Sequence, residues 1–209
     1  MLIDIYASLY KKVKNQKFTP HHVVEVGVHY PETSNILGFI EDGIRAELIE
    51  PDPLCIDRIS HRFGTYTNVS IHPYAIFNTR RQLKLYRCSA STFVSELTHS
   101  PALLNDHYIP NEDDAFFAEA KLFSDIDDGT IDLLSIDTEG CEWCVLETMT
   151  SRPTIISIET HSAKKYKNPN LSKIKFWMKE NGYKLWYKNI SDSIFVKKDF
   201  KVSFLSRFF

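Results

Sequence analysis

Apolar positions in this chain follow two periods, and their alternation predicts strands and helices in turn. HHVVEVGV at 21–28 is a Val-rich run too short for a buried helix, with Gly27 near its end, and reads as a strand. RAELIE at 45–50, VSIHPYAIF at 69–77, IDLLSID at 131–137 and the apolar run at 153–159 read the same way. The segments between them are helical in pattern. Pro31-Glu32-Thr33-Ser34 opens a helix to about Asp42, ended by Gly43, and Pro51-Asp52-Pro53 opens another to about Phe63-Gly64. Residues 140–150 and 168–181 continue the series, the latter stopped by Gly182.

The remaining stretches carry weaker patterns. Leu2, Ile5, Leu9 and Val13 share one helical face, which predicts a packing helix within residues 1–19. Gln82–Arg87 alternates and reads as a peripheral strand, while Ala115–Leu122 fits a strand or a short helix. Residues 88–118 are the least regular part and are expected to be an irregular insertion that meets the substrate. Tyr183–Tyr187 and Ser193–Lys197 close the chain as an antiparallel pair, which predicts an antiparallel edge strand. Strands alternating with helices predict an α/β fold of three layers, a mostly parallel sheet covered on both faces, with residues 1–209 as a single domain. The tail KVSFLSRFF at 201–209 is expected to dock on the domain or on a partner, and self-association stays open.

Composition narrows the function classes. A formal charge of −2, with both signs mixed along the chain, argues against a nucleic-acid surface. No apolar run approaches the ~20 residues that span a bilayer, so no stable membrane insertion is expected. The N-terminus places its lysines after its apolar residues, the reverse of a secretory signal, and Cys55, Cys88, Cys141 and Cys144 are too scattered for a disulfide framework. A cytoplasmic protein is expected. Aromatic residues at 13% supply core and can line a ligand pocket.

Two constellations stand at predicted strand ends, where open α/β sheets bind ligands. In the first, Glu25 and Gly27 close one strand and Glu50 closes the next. An acid at the second strand end can accept from ribose hydroxyls, but the Gly-rich pyrophosphate fingerprint is missing, so a nucleoside cofactor without phosphates fits better. In the second, Ser135-Ile136-Asp137-Thr138-Glu139 is echoed by Ser157-Ile158-Glu159-Thr160-His161. Parallel neighbours would bring Asp137 and Glu159 side by side, with Glu139 and His161 just beyond. Such acids call for a shared proton, a divalent metal or a cationic ligand, and a histidine beside them can act as a general base. His29, directly after the first strand, would face the same mouth. Cys141 and Cys144 read as helix residues, and Trp143 and Trp177 as packing.

Together VVEVGV (23–28), LIEPDP (48–53), HPYAIFN (72–78) and above all IDLLSIDTEGCEWCVLETM (131–149) resemble the FkbM-type family of S-adenosylmethionine-dependent methyltransferases. The resemblance covers roughly residues 21–160. It implies a class I methyltransferase fold, a seven-stranded sheet whose last strand is antiparallel. It also implies S-adenosylmethionine as cofactor and a hydroxyl acceptor on a sugar, glycan or small natural product. By the same resemblance Glu25 and Gly27 lie against the methionine part of the cofactor, Glu50 holds the ribose, Ala75 and Ile76 lie near the adenine, and Asp137 and Glu139 stand where the methyl moves. Asp137 or His161 is expected to be the base, and no metal is expected. Val28, His29, Pro31 and Ser135 depart from the family pattern, Pro31 standing where the family carries a second glycine. Two other readings are a non-catalytic nucleoside-binding module of the same fold and a metal-assisted carbohydrate-modifying enzyme using Asp137, Glu159 and His161.

Overall fold

The computed structural model describes residues 3–88, 91–161 and 166–202. The chain begins with α1 (Ile3–Lys14) and β1 (His22–Val26). A 3-10 turn (Pro31–Thr33), α2 (Leu37–Glu41), β2 (Arg45–Ile49), α3 (Pro53–Phe63) and β3 (Val69–His72) follow. The middle holds β4 (Ala75–Ile76), β5 (Arg81–Cys88), β6 (Ser91–Val94), α4 (Pro101–Leu104) and β7 (Ala115–Lys121). The last part is β8 (Leu133–Ile136), α5 (Glu142–Thr148), β9 (Ile155–Glu159), α6 (Leu171–Glu180), β10 (Tyr183–Lys188) and β11 (Asp192–Lys197).

The main sheet has seven strands in the order β10-β11-β9-β8-β1-β2-β3. β3, β2, β1, β8 and β9 run parallel, and β11 is antiparallel to both its neighbours. The last strand of the seven is thus antiparallel, as the resemblance implied, but it lies one place in from the edge that the sequence suggested, inserted between β9 and β10. Side-chain alternation divides the core. Val24, Val26, Leu134, Ile136, Ile156 and Ile158 face α5 and α6, whose Val145, Leu146, Ile174 and Met178 are buried against them. Val23, Ala46, Leu48, Leu133 and Ile155 face Leu9 and Val13 of α1, Phe39 and Ile40 of α2, and Ile59 and Phe63 of α3. This is the expected three-layer sandwich.

Three local expectations need correction. The helix expected over Pro31–Asp42 is broken: a 3-10 turn ends at Thr33, Ser34 is extended (φ −54°, ψ 127°), and helix resumes only at Leu37. The strand expected over 69–77 is divided, because β4 leaves the main sheet to pair with β7. The insertion at 88–118 is also less irregular than its composition suggests. Ser91–Val94 pairs antiparallel with Leu85–Cys88, and β5 pairs with β7, so a second sheet of order β4-β7-β5-β6 forms there. Its Ala75, Leu83, Leu85, Val94, Ala118 and Ala120 pack with Cys141, at the start of α5. Ser89, Lys164, Lys165 and most of the 201–209 tail lie outside the described residues.

Candidate active site

β1 lies between β8 and β2, which leave it in opposite directions, and a crevice opens beyond its carboxyl end. Gly27 forms the floor. Its φ is +84°, and a Cβ there would lie 1.7 Å from the carbonyl oxygen of Asp137. Only glycine lets the ends of β1 and β8 approach so closely. The floor is stitched on both sides: Gly27 N–H donates to Ile49 O at 2.9 Å and Asp137 N–H to Val26 O at 2.9 Å. Glu25, Gly27, Glu50, Ala75, Ile76 and Asp137 all line one cavity here, together with Glu139 and His29.

The two strand-end acids are fixed by backbone donors. Glu50 accepts from Val28 N–H (3.1 Å), His29 N–H (2.8 Å) and Asp52 N–H (2.9 Å). These bonds hold the turn after β1, where His29 takes a left-handed φ of 56°. Glu25 accepts from the Ser34 hydroxyl (2.5 Å) and Asn35 N–H (2.8 Å). Capture of those two donors explains the break in the predicted helix. Burial pushes Glu25 up to about 8 and Glu50 up to about 7, against the pull of their hydrogen bonds. Asp52 is 1% exposed and is met by a two-pronged Arg87, with Nε–Oδ2 at 2.6 Å and Nη2–Oδ1 at 2.8 Å.

Beyond the floor the acids gather. Ile136 and Ile158 are register partners, so Asp137 and Glu159 leave adjacent strands side by side, and carboxylate oxygens of Asp137, Glu139 and Glu159 lie within 4.8 Å of one another. Glu139 reaches the group through a left-handed turn (φ 53°) followed by Gly140 (φ 114°). Glu142 holds that turn, accepting from Gly140 N–H at 2.9 Å and from the Asn168 amide at 2.6 Å. Burial, then the charges of Asp192 and Glu142, push Asp137 up to about 7. Glu139 and Glu159 are raised as well, by burial first and then by Asp137.

Asp137 and Asn35 also belong to a second cavity, whose wall includes Ser157, Glu159, Tyr187, Asn189, Ser191 and Asp192. The predicted echo thus brings Asp137, Glu139 and Glu159 together and sets His161 against Glu159, outside both cavities. That ring lines neither cavity; its Nε2 is 2.7 Å from Glu159 Oε1, and its plane meets Tyr166 edge-on at 5.3 Å. A backbone φ of 30° at His161 takes the chain out of the strand geometry on which the echo relied.

Sequence reasoning missed Thr33, Asn35, Tyr74, Ser91, Thr92 and Val94 as lining residues. The alternation in Ser91-Thr92-Phe93-Val94 was a faint signal for the last three. Two polar atoms of this lining are enclosed and without a partner among the described residues, the Ser91 hydroxyl and Glu139 Oε2. Each is suited to a ligand that brings both donors and acceptors, as an amino-acid nucleoside does.

The family model for the methyltransferase FkbM domain matches residues 25–185. The chain belongs to this family of S-adenosylmethionine-dependent methyltransferases. The FkbM fold is shared by solved structures of low identity. A Pyrococcus horikoshii protein assigned as an RNA methyltransferase aligns over 93% of this chain and 82% of its own, with 10% identity and a TM-score of 0.53. A Staphylococcus aureus protein assigned as a caffeoyl-CoA O-methyltransferase aligns over 92% and 82%, with 13% identity and a TM-score of 0.52. These likenesses concern the fold. No curated protein matches this FkbM-family chain. Among its described residues no helix is long and apolar enough to cross a membrane.

Proposed function

We propose that this FkbM-family methyltransferase moves the methyl group of S-adenosylmethionine to a hydroxyl oxygen of a sugar, glycan or small natural product. The observation that carries the reading is the double exposure of Asp137, which stands in the wall of two adjoining cavities. One has the nucleoside-type lining of Glu25, Gly27, Glu50, Ala75 and Ile76. The other offers hydroxyl, amide and carboxylate groups from Ser157, Tyr187, Asn189, Ser191 and Asp192, which suit a polyhydroxylated acceptor.

The cofactor supplies an electrophilic methyl group on a positively charged sulfur. The chain supplies placement, which is worth up to ~7–11 kcal/mol when reacting groups are held in line. Glu50 and the floor at Gly27 hold the nucleoside end, and Glu25 and Glu139 the aminoacyl end. Asp137, in the wall of both cavities, takes the proton that the acceptor hydroxyl releases. His161 holds Glu159 beside it.

The test pairs binding with transfer. Wild type should gain thermal stability with S-adenosylmethionine and with its demethylated product, and E50Q should bind the product at least tenfold more weakly. Label from the isotopic methyl donor should appear on hydroxylated acceptors as a base-resistant ether, with D137N at least ~10²-fold slower. Absence of any thermal response in folded wild type sinks the cofactor reading. Label that mild alkali releases, as from a methyl ester, sinks the hydroxyl acceptor.

A further inference from the structure

We infer that Asp137, Glu139 and Glu159 form a binding site for one hard divalent cation, Mg2+ or Mn2+, at the junction of the two cavities. Three observations carry this. The three carboxylates converge to within 4.8 Å from two strand ends and the turn between β8 and α5. Among the described residues no Lys or Arg pairs with any of them, and the ionic contact that reaches the group is that of His161 with Glu159. The cluster is also short of partners. Oε2 of Glu139 and Oε2 of Glu159 are enclosed and lack a hydrogen-bond donor among the described residues. The hydroxyl of Tyr166, a side chain 1% exposed that reaches to 3.5 Å from the point where a Cβ on Gly140 would sit, likewise has no hydrogen-bond partner among the described residues.

Neighbouring acids show that this shortage is local. Glu142 is buried too, but donors from Thr138, Gly140 and Asn168 meet it. Asp192 is met by Asn189 and Ser191. The fold satisfies these two acids with its own donors and leaves three others pointing at one another. It also holds Glu139 in a left-handed conformation, which costs a non-glycine residue roughly 1 kcal/mol or more, to bring the third oxygen in. A buried oxygen without a donor is tolerated where a ligand completes it.

The donor set selects the ion. Three carboxylate oxygens without a coordinating sulfur or nitrogen suit Mg2+ or Mn2+ better than zinc. His161 stands behind Glu159 and orients it, as an outer partner does for a metal-bound carboxylate. Three protein oxygens leave up to about three positions of an octahedron open. Because Asp137 lines both cavities, an ion held there would be open to approach from either of them. The site follows from the acids alone; a role in holding the acceptor oxygen rests on the methyl-transfer reading.

The experiment uses the full chain freed of metal with a chelator and titrated with Mn2+ alone. The signal of free Mn2+ and the melting temperature are followed together. One saturable Mn2+ per chain, displaced by Mg2+, is expected, with selective paramagnetic broadening of the His161 ring signals. E139Q and E159Q should each weaken Mn2+ at least tenfold, while melting without metal at or above the wild-type temperature because one of three clustered charges has gone. No saturable binding to folded wild type overturns the site, as does Mn2+ binding that leaves the His161 signals sharp. Thermal response to the demethylated cofactor without Mn2+ binding removes this site and keeps the cofactor reading; the converse keeps the site and removes the cofactor reading.

Discussion

Replacing Gly27 by alanine tests whether the close approach of β1 and β8 sets the site. The added methyl would lie 1.7 Å from Asp137 O, whereas real Cβ contacts essentially never fall below 3.0 Å. The strand ends must then part by about 1.3 Å, the difference between those two distances. A left-handed φ costs a non-glycine residue ~1–2 kcal/mol, and overpacking a filled site costs ~1–3 kcal/mol more. A loss of about 2–5 kcal/mol is expected, a large share of the ~5–15 kcal/mol that holds a domain together. Urea unfolding at constant pH measures it directly. The same parting moves Asp137 relative to both cavities, and a misplacement of ~1 Å can cost ~10²-fold in rate. Affinity for the demethylated cofactor, measured below the unfolding transition, should fall at least tenfold. If G27A unfolds within 0.5 kcal/mol of wild type, on the order of ordinary surface substitutions, the floor does not have the geometry described. A stable G27A with unchanged cofactor affinity would separate the floor from the site.

Further outcomes follow from charge. Glu25 and Glu50 hold protons in the folded chain to about 8 and about 7, against 4.5 for an unperturbed glutamate, so between those values the folded state binds more protons than the unfolded one. Stability of the ligand-free chain should therefore fall as pH rises from about 5 to about 8, by at least ~5 °C in melting temperature, and E25Q should flatten the slope; a melting temperature that rises over this window contradicts the assignment. R87A leaves Asp52 buried without its cation and should cost about 2–3 kcal/mol in denaturant, while R87M/D52N, which removes both charges and keeps the Asp52 cap on Leu54 N–H, should cost less than half as much. An R87A loss under 0.5 kcal/mol would mean that solvent replaces the half-exposed guanidinium, as it does for ordinary surface pairs.

Most of the main sheet was legible because its strands are β-branched runs ended by turn residues, and the helices between them carry their own start and stop signals. The lining Glu25, Gly27, Glu50 and Asp137 came with it, since the fold class puts ligands at those strand ends. What could not be read was set by distant partners. Ser34 and Asn35 sit in a helical pattern, but the Glu25 carboxylate takes their donors and the helix gives way. Ser91–Val94 is too short to declare itself and becomes a strand only because β5 offers an edge. His161 shares its position with Glu139 in the written echo. Its backbone nonetheless turns after Glu159, where Thr160 and His161 N–H groups donate to Ser191 O on the approach to β11.

The place of β11 has a consequence for how the two cavities are tied together. Among the described residues β10 pairs with the main sheet through β11 alone, and Glu159 is the register partner of Asp192, the first residue of β11. β11 thus fixes the end of β9 and, with Ser191 just before it, carries in the Asp192 and Ile194 wall of the second cavity. Asp137 and Glu159 are thereby held from opposite sides, the first by β1 through Val26 O and the second by β11 through Asp192. A change that loosened β11 would therefore be felt at Glu159 and in the second cavity before it reached the floor at Gly27.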